Sequence, residues 1–462
     1  MQRAVLCAAL AVALAPSSAG AQSLTLTESD ALARLSTASP RVRAIRAAVD
    51  IARADALAAA RWPNPQPSIT RESVAGVTEY LTAVSQVLPV TGRRGLDLQA
   101  ASALVSASSS RADDQLQRLR ADLDHIMAHT EGLWEELRGR RLFITGGTGF
   151  FGSWLLESFT YAVDTLGLDA TAVVLTRDAA AFAVRLPHLG SHRALTFHSG
   201  DVRSFSFPCG KFSHIIHAAT ASGLPEAPAT LLDTIVRGTA HTLDFAKHCG
   251  AQKVLLTSSG AVYGKQPPRI LNVPEEFPGA PDPTDIRSAY GEGKRVAELL
   301  SVLAALESGF EVKIARPFAF VGPYLPLDVH FAVGNFIRDG LAGGPIHVHG
   351  DGTPYRSYLY AADLAIWLWT ILFSGVSCRP YNVGAETAVC IAELAEIVAR
   401  SFGLGSRVHI PRHPRPEAPA ERYVPNTQRA QRELGLKVGI DLHEAIRRTI
   451  AWYKAADTRA PT

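Results

Sequence analysis

Along the N-terminal part of the chain, Leu32, Leu35, Val42, Ile45, Ala48, Ile51 and Leu57 recur at near-helical spacing, which predicts an amphipathic helix. The stretch Trp62-Pro63-Asn64-Pro65-Gln66-Pro67 ends it, because proline removes amide donors and restricts the residue before it. A strand-like piece then leads to Val87-Leu88-Pro89-Val90-Thr91-Gly92-Arg93-Arg94, and a second Ala/Ser-rich helix starts near Leu96. Residues 22–120 are thus predicted to be a mostly helical fragment, with a connecting helix over 121–140. From Arg141 the texture changes. The run 141–144 reads as a short buried strand, and 172–175, 195–197, 214–217, 253–257 and 311–315 read as further strands separated by helical stretches. That alternation predicts an α/β domain with a doubly wound parallel sheet over 141–322. After Gly322 the chain is richer in Gly, Pro and aromatic residues, as in a smaller C-terminal lobe, mainly substrate-binding, over 323–462. Leu364 to Phe373 is too short to cross a bilayer and is read as a buried core helix.

Composition excludes several classes. A net charge of +3 over 462 residues, with no basic cluster, argues against nucleic-acid binding. The five cysteines lack paired spacing, which predicts neither a zinc site nor a disulfide framework. His347 and His349 have no evident third ligand, so no metal is expected. At the N-terminus, Arg3, the apolar run Ala4–Ala15 and the Ala19-Gly20-Ala21 site before Gln22 read as an export signal over 1–21. The run is too short for a membrane span.

The following segment resembles the start of outer-membrane efflux factors. The resemblance rests on Leu24-Thr25-Leu26-Thr27-Glu28, Ser39-Pro40, Ala58-Ala59-Ala60-Arg61 with Asn64-Pro65, and Gln86 to Arg94. It includes at most one barrel strand. A barrel must close to satisfy its edges, so the fragment supplies no pore alone; it is expected to be a remnant or a fusion product.

The chemistry is concentrated further on. Thr145-Gly146-Gly147-Thr148-Gly149-Phe150-Phe151-Gly152 joins a strand to the helix opened by Ser153, the setting in which glycines let helix N–H groups face a pyrophosphate. Gly200-Asp201-Val202 follows the third strand, His217-Ala218-Ala219 the fourth, and Ser258-Ser259-Gly260-Ala261-Val262-Tyr263-Gly264 the fifth. Tyr290 and Lys294 stand four apart, on one helix face.

In this order the motifs resemble the extended short-chain dehydrogenase/reductases, the NAD-dependent nucleotide-sugar epimerases and dehydratases, over about 141–453. The resemblance implies a Rossmann-type sheet and NAD or NADP held by Gly146, Gly149, Phe150, Phe151, Gly152, Arg177, Asp201, Val202, Ala218, Ala219, Tyr290 and Lys294. It makes Tyr290 the general acid/base, its phenol lowered by a nearby ammonium and the cationic nicotinamide. Lys294 would tune it and hold the ribose, Ser259 would bond the reacting oxygen, and Asp201 would accept from the adenine amine. In the second lobe the segments of Asn335 and Arg356, and Arg422 before Tyr423-Val424-Pro425-Asn426, look like those that hold the nucleotide diphosphate, although the family usually has Asp at Asn426. A homodimer through the Tyr290 helices is expected on the same ground.

Two positions bear on the reaction. Dehydratases of the family carry an acid and a base right after the catalytic hydroxyl, and the sugar-acid decarboxylases a glutamate at the second position. Here these are Gly260 and Ala261, which transfer no protons. The Asn335 and Arg356 segments look most like decarboxylases, whereas the catalytic loop looks like a 4-epimerase. The loop is given the greater weight, so a 4-epimerase comes first and a 4-keto-sugar reductase second. The cofactor stays open between NAD and NADP: Arg177 suits a 2′-phosphate, and Asp178 reaches for ribose hydroxyls. A truncated efflux component with a passenger domain, or a non-catalytic nucleotide-binding protein, are the alternatives of other classes. Both substrates are cytoplasmic supplies, in conflict with the export signal. The only methionines are Met1 and Met127, so the functional unit is expected to begin near residues 113–127 and to act in the cytoplasm.

Overall fold

The computed structural model describes residues 40–61, 64–74, 77–86, 93–220, 227–329, 331–404, 407–414 and 419–456. The export-signal-like segment, the Leu24–Glu28 motif and residues 87–92 lie outside them.

Seven strands form one parallel sheet: β1 (Arg141–Thr145), β2 (Thr171–Thr176), β3 (Leu195–Ser199), β4 (His214–His217), β5 (Lys253–Thr257), β6 (Glu311–Pro317) and β7 (Pro380–Val383). Their spatial order is β7-β6-β5-β4-β1-β2-β3. The order reverses direction at β1, and in such sheets ligands bind at the carboxyl ends beside that reversal. Both faces of β1 are covered, so its interior is continuously apolar: Leu142, Phe143 and Ile144 are wholly buried. The first six strands fall where the hydrophobic runs predict them.

The seventh was not legible. Pro380-Tyr381-Asn382-Val383 is four residues of mixed polarity, yet it pairs in parallel with β6, Pro380 opposite Ile314 and Val383 opposite Pro317. The expected division at residue 322 is therefore crossed, because the chain returns from the second lobe to complete the sheet. Helix Ala361–Ser374 lies between the two parts and is buried from Ala361 to Phe373.

Ahead of the sheet, helix α1 (Pro40–Ala60) packs on α2 (Arg93–His129), and the strands Gln66–Val74 and Val77–Ser85 form an antiparallel hairpin with Gln66 opposite Ser85. The single strand-like piece read from the sequence is thus two strands. α2 runs without interruption through position 120. Its last turns enter the main core: Leu119, Leu123 and Ile126 are buried with Trp154, Leu364 and Ile446. Asp122, also buried, accepts from the Tyr360 hydroxyl at 2.5 Å and pairs with Arg448. His125 bonds Asp363 at 2.9 Å. A functional unit starting at Met127 would lack all of these contacts; one starting at 113 keeps them.

Candidate active site

The glycine turn fits its helix for steric reasons that differ by position. Gly146 has φ +72°, and a Cβ there would stand 2.4 Å from the Ala218 carbonyl carbon. A Cβ at Gly152 would stand 2.3 Å from the Gly147 carbonyl carbon. Those two glycines let the turn sit on β4 and on itself. Gly149, which immediately precedes helix α3 (Phe150–Leu166), is different: a Cβ would meet only the Gly146 oxygen, at an ordinary 3.5 Å. The chain itself does not demand glycine there, so the open space beside it suits an approaching phosphate. Phe150 and Phe151 begin α3, and the Phe151 ring meets Phe320 edge-on at 5.1 Å. Both pack against the main core from the first turn of that helix.

Ala218 and Ala219 lie directly under the turn. Ala219 N donates to Thr145 Oγ1 (3.2 Å), whose hydroxyl meets His217 Nδ1 at 2.8 Å, and His217 Nε2 meets Thr239 at 3.0 Å. This chain suits a neutral ring protonated on Nε2. Burial, with Lys294 adding to it, pushes the His217 pKa down to about 3.

Asp201 is placed at the end of β3, but its carboxylate is engaged within the chain. It accepts from the Arg203 amide and side chain at 2.8–2.9 Å, and Arg203 also bridges to Asp233. Arg203 holds the Asp201 carboxyl down to about 2. Val202 packs on the next helix, where a Cβ at Gly238 would meet it at 2.9 Å. Arg177 follows β2 and is exposed.

Ser259, Tyr290 and Lys294 come together from β5 and helix α4 (Ala289–Ser308). Ser259 caps the turn Gly260–Tyr263, accepting from Ala261 N at 3.1 Å. Lys294 is 3% exposed; its ammonium donates to the Thr257 carbonyl (2.8 Å) and Thr220 Oγ1 (2.7 Å), and stands 5.9 Å from the Tyr290 ring centre. Burial lowers the Lys294 pKa to about 8, Glu298 opposing. Tyr290 differs from the expectation. Burial pushes its phenol above the ordinary tyrosine range, and the bond with Ser259 only partly opposes this. The protein's own groups do not lower it, because desolvation outweighs the bond.

A supporting layer was not read from the sequence. Glu298 accepts two bonds from Arg316 and one from Ser258, while Arg316 and Asn382 both meet the Tyr263 hydroxyl. These bonds fix the loop that carries Ser259. Tyr423 was also missed as a site residue, although it adjoins Arg422. Its hydroxyl lies 3.4 Å from Ser259 Oγ, and burial holds it well above the ordinary range.

The second lobe divides the two expected phosphate arginines. Strand Tyr355–Arg356 pairs in parallel with Arg422–Tyr423, Tyr355 opposite Arg422 and Arg356 opposite Tyr423. Successive side chains alternate faces, so Arg356 shares the face of Tyr423 and Ser259, whereas Arg422 projects to the other. There Arg422 donates to the Leu271 carbonyl and covers the Tyr355 ring at 4.5 Å. Asn335, on helix Ala332–Leu341, accepts from Arg338 at 3.2 Å. Among the described residues no three His, Cys, Asp or Glu side chains form a metal-sized group, and no helix is long and apolar enough to cross a membrane.

The model of the NAD dependent epimerase/dehydratase family matches residues 142–384, more than half of the chain. The chain belongs to that family. It is 30% identical over 316 residues to UDP-glucuronic acid decarboxylase 1 of Danio rerio, covering 68% of this chain and 72% of that one. It is 31% identical over 309 residues to UDP-glucuronic acid decarboxylase 3 of Arabidopsis thaliana, covering 66% and 86%. Among solved structures, the dTDP-glucose 4,6-dehydratase of Streptomyces venezuelae with NAD bound superposes with a TM-score of 0.59 at 24% identity, over 68% of this chain and 97% of that one. The UDP-glucose 4-epimerase of Thermotoga maritima gives 0.57 at 20%, over 68% and 99%. The loop after Ser259 carries no acid, since Gly260 and Ala261 follow it directly. A Cβ at Gly260 would stand 2.6 Å from Phe318 Cζ, and the Phe318 ring leans on Tyr423 at 4.6 Å.

Proposed function

We propose that the chain is a nicotinamide-dependent nucleotide-sugar epimerase acting at a ring carbinol, of the 4-epimerase type. The observation that carries this reading is the pair Gly260 and Ala261, side chains without a proton to move, with Phe318 filling the space where an acid at 260 would stand. Dehydration needs such groups; epimerisation needs a hydroxyl donor, a base and a hydride carrier.

The glycine turn, Ala218, Ala219, Tyr290 and Lys294 would hold the dinucleotide, which supplies hydride exchange when bound. Ser259 orients the substrate hydroxyl, and Tyr290 takes its proton as the carbinol becomes a ketone. The buried Lys294 ammonium, fixed by Thr257 and Thr220, keeps positive charge beside the phenol. Among the protein's own groups only the Ser259 bond opposes the burial that raises Tyr290, so the bound cofactor's positive charge would have to supply the rest. After the ketone turns over, Tyr290 returns the proton to the opposite-face alcohol. Arg356, on the Ser259 face, suits a diphosphate oxygen pair; Arg422 would serve it only after turning from Leu271.

A reductase of 4-keto sugars uses the same three residues and is the second reading. A decarboxylase is favoured by the curated relatives named above, and is opposed by Ala261 at the glutamate position. Incubating the full chain with NAD or NADP and UDP-, dTDP-, GDP- and CDP-sugars separates them. Epimer formation without net cofactor consumption is expected. Stoichiometric NAD(P)H oxidation on a 4-keto sugar points to the reductase, and carbon dioxide from a sugar acid to the decarboxylase; loss of water would overturn the reading of Gly260.

The enzyme acts in the cytoplasm in this reading, where both substrates are made. Its supporting partner is a second copy through α4, whose Val296, Leu299, Leu303 and Leu306 leave an exposed apolar row. Light scattering of the chain and of Leu303→Glu tests that: a dimer that dissociates is expected.

A further inference from the structure

From Asp50 to Arg111 no described side chain is buried. The buried residues of α1 and α2 (Val42 and Val49 on one, Ala112, Leu116 and those beyond on the other) all lie at the end beside the enzyme. The rest is an arm: two thin helices tipped by the hairpin of strands Gln66–Val74 and Val77–Ser85. It carries large apolar side chains all the same. Ile51 and Leu104 on the helices, and Ile69, Tyr80, Leu81 and Val84 on the strands, are each more than half exposed. The two strands pair only with each other among the described residues. An isolated two-stranded hairpin is at best marginally stable in water, and its outer edges offer unpaired amides and carbonyls.

The chemistry of the hairpin says what completes it. The pairs Pro67–Val84, Ile69–Thr82, Arg71–Tyr80 and Ser73–Thr78 share one face, and Thr70–Leu81 and Glu72–Glu79 lie on the other. The Arg71 guanidinium stands 5.9 Å from the Tyr80 ring centre, as a shared face requires. The two edges differ. The first strand carries Pro67, which has no amide to donate, and the adjoining charges of Arg71 and Glu72, features that blunt an edge. The second has neither proline nor glycine, a single charge at Glu79, and β-branched or aromatic residues at five of its nine positions. That edge is open to one more strand. Between Asp50 and Ser110 five arginines balance five acidic residues, so the arm has no net charge with which to select a strongly acidic or basic partner.

We propose that a second copy of this chain completes the hairpin, by antiparallel pairing of strand Val77–Ser85 with its own counterpart about a two-fold axis at Leu81. Leu81 is the middle residue of the nine, so this register pairs both strands over their full length. Tyr80 then stands opposite the partner's Thr82, Thr78 opposite the partner's Val84, and Glu79 opposite the partner's Ala83. No carboxylate faces another across the new contact. Directly opposed residues lie on one face, so the two hairpins form a single four-stranded sheet in which the faces bearing Ile69, Tyr80 and Val84 become continuous. The contact is isologous and closes at two copies. It is separate from the contact through α4 and independent of the reaction the enzyme catalyses.

Sedimentation velocity of the full chain tests this register, because position 81 meets itself across the axis. Leu81→Lys and Leu81→Glu each set like charges opposite one another. Each is expected to halve the assembled mass, weakening the association at least about tenfold. An equimolar mixture of the two variants is expected to restore it, since opposite charges then face each other. Leu81 is 56% exposed and its neighbour within the hairpin is the uncharged Thr70, so the melting temperature of each variant is expected to match the parent's. Leu303→Glu acts on the α4 contact alone and leaves this rescue intact, so failure of either interface shows separately. Unaltered mass in both single variants, or a mixture that stays dissociated, overturns the pairing. A full chain that is monomeric also overturns it, and sedimentation of that monomer with phosphatidylcholine vesicles would assign the apolar face to lipid instead.

Discussion

Phe318 Cζ occupies the position a side chain at Gly260 would take, 2.6 Å from the ideal Cβ site. The ring is held there by contact with Tyr423, which itself reaches Ser259. One aromatic residue thus crowds out a side chain at position 260 and packs on the Tyr423 that reaches Ser259. Gly260→Asp is expected to lower stability by about 1–3 kcal/mol through overpacking and to confer no dehydration. The double variant with Phe318→Ala should recover part of that loss. Thermal melts of the two variants check it; a Gly260→Asp protein as stable as the parent would show that Phe318 yields.

Tyr290 and Ser259 lie within hydrogen-bonding reach, and Lys294 is anchored independently of both. Tyr290→Phe therefore is expected to cut turnover by about 10²–10⁴-fold, the usual range for a lost acid/base group, with a much smaller loss of cofactor affinity and a melting temperature near the parent's. Single-turnover assays beside a binding titration separate the two effects. Unchanged turnover would remove Tyr290 from the chemistry.

His217 gives a stability signature in acid. Burial holds its folded pKa down to about 3, below the ordinary histidine value of about 6.5, so between those limits the unfolded chain binds the extra proton. Stability is full above the upper limit and falls as pH drops through this window, by up to about 1.4 kcal/mol per pH unit for one group. His217→Gln, which keeps a donor and an acceptor for Thr239 and Thr145, is expected to flatten the denaturant midpoint between pH 6 and pH 4. An unaltered profile would assign the acid sensitivity elsewhere.

Where the enzyme begins is testable through α2. Leu119, Leu123 and Ile126 are buried, and Asp122 holds Tyr360 and Arg448. A chain starting at residue 113 is expected to fold with a melting temperature close to that of the full chain, and one starting at Met127 to be insoluble or molten. Leu123→Ala alone should cost about 2–5 kcal/mol. A well-folded chain from Met127 would show that the helix is dispensable.

What was legible in the sequence had a local cause. Six strands carry apolar residues at most of their buried positions because a parallel sheet is covered on both faces, and the glycine turn, Ser259, Tyr290 and Lys294 sit at fixed offsets from those strands. The seventh strand was not legible, since Pro380–Val383 becomes a strand only by pairing with β6. Nor could spacing show that Arg356 and Arg422 leave opposite faces of two paired strands, or that Asp178 and Asp201 spend their carboxylates on Ala181 and Arg203. The sequence by itself determined the order of elements and the residues able to do chemistry. Only the tertiary structure decided which of them meet, that burial raises rather than lowers Tyr290, and that α2 belongs to the enzyme's core. The reason is physical: periodicity and turn chemistry act within a few residues, whereas desolvation, ion pairing and side-chain packing depend on partners far away in the chain.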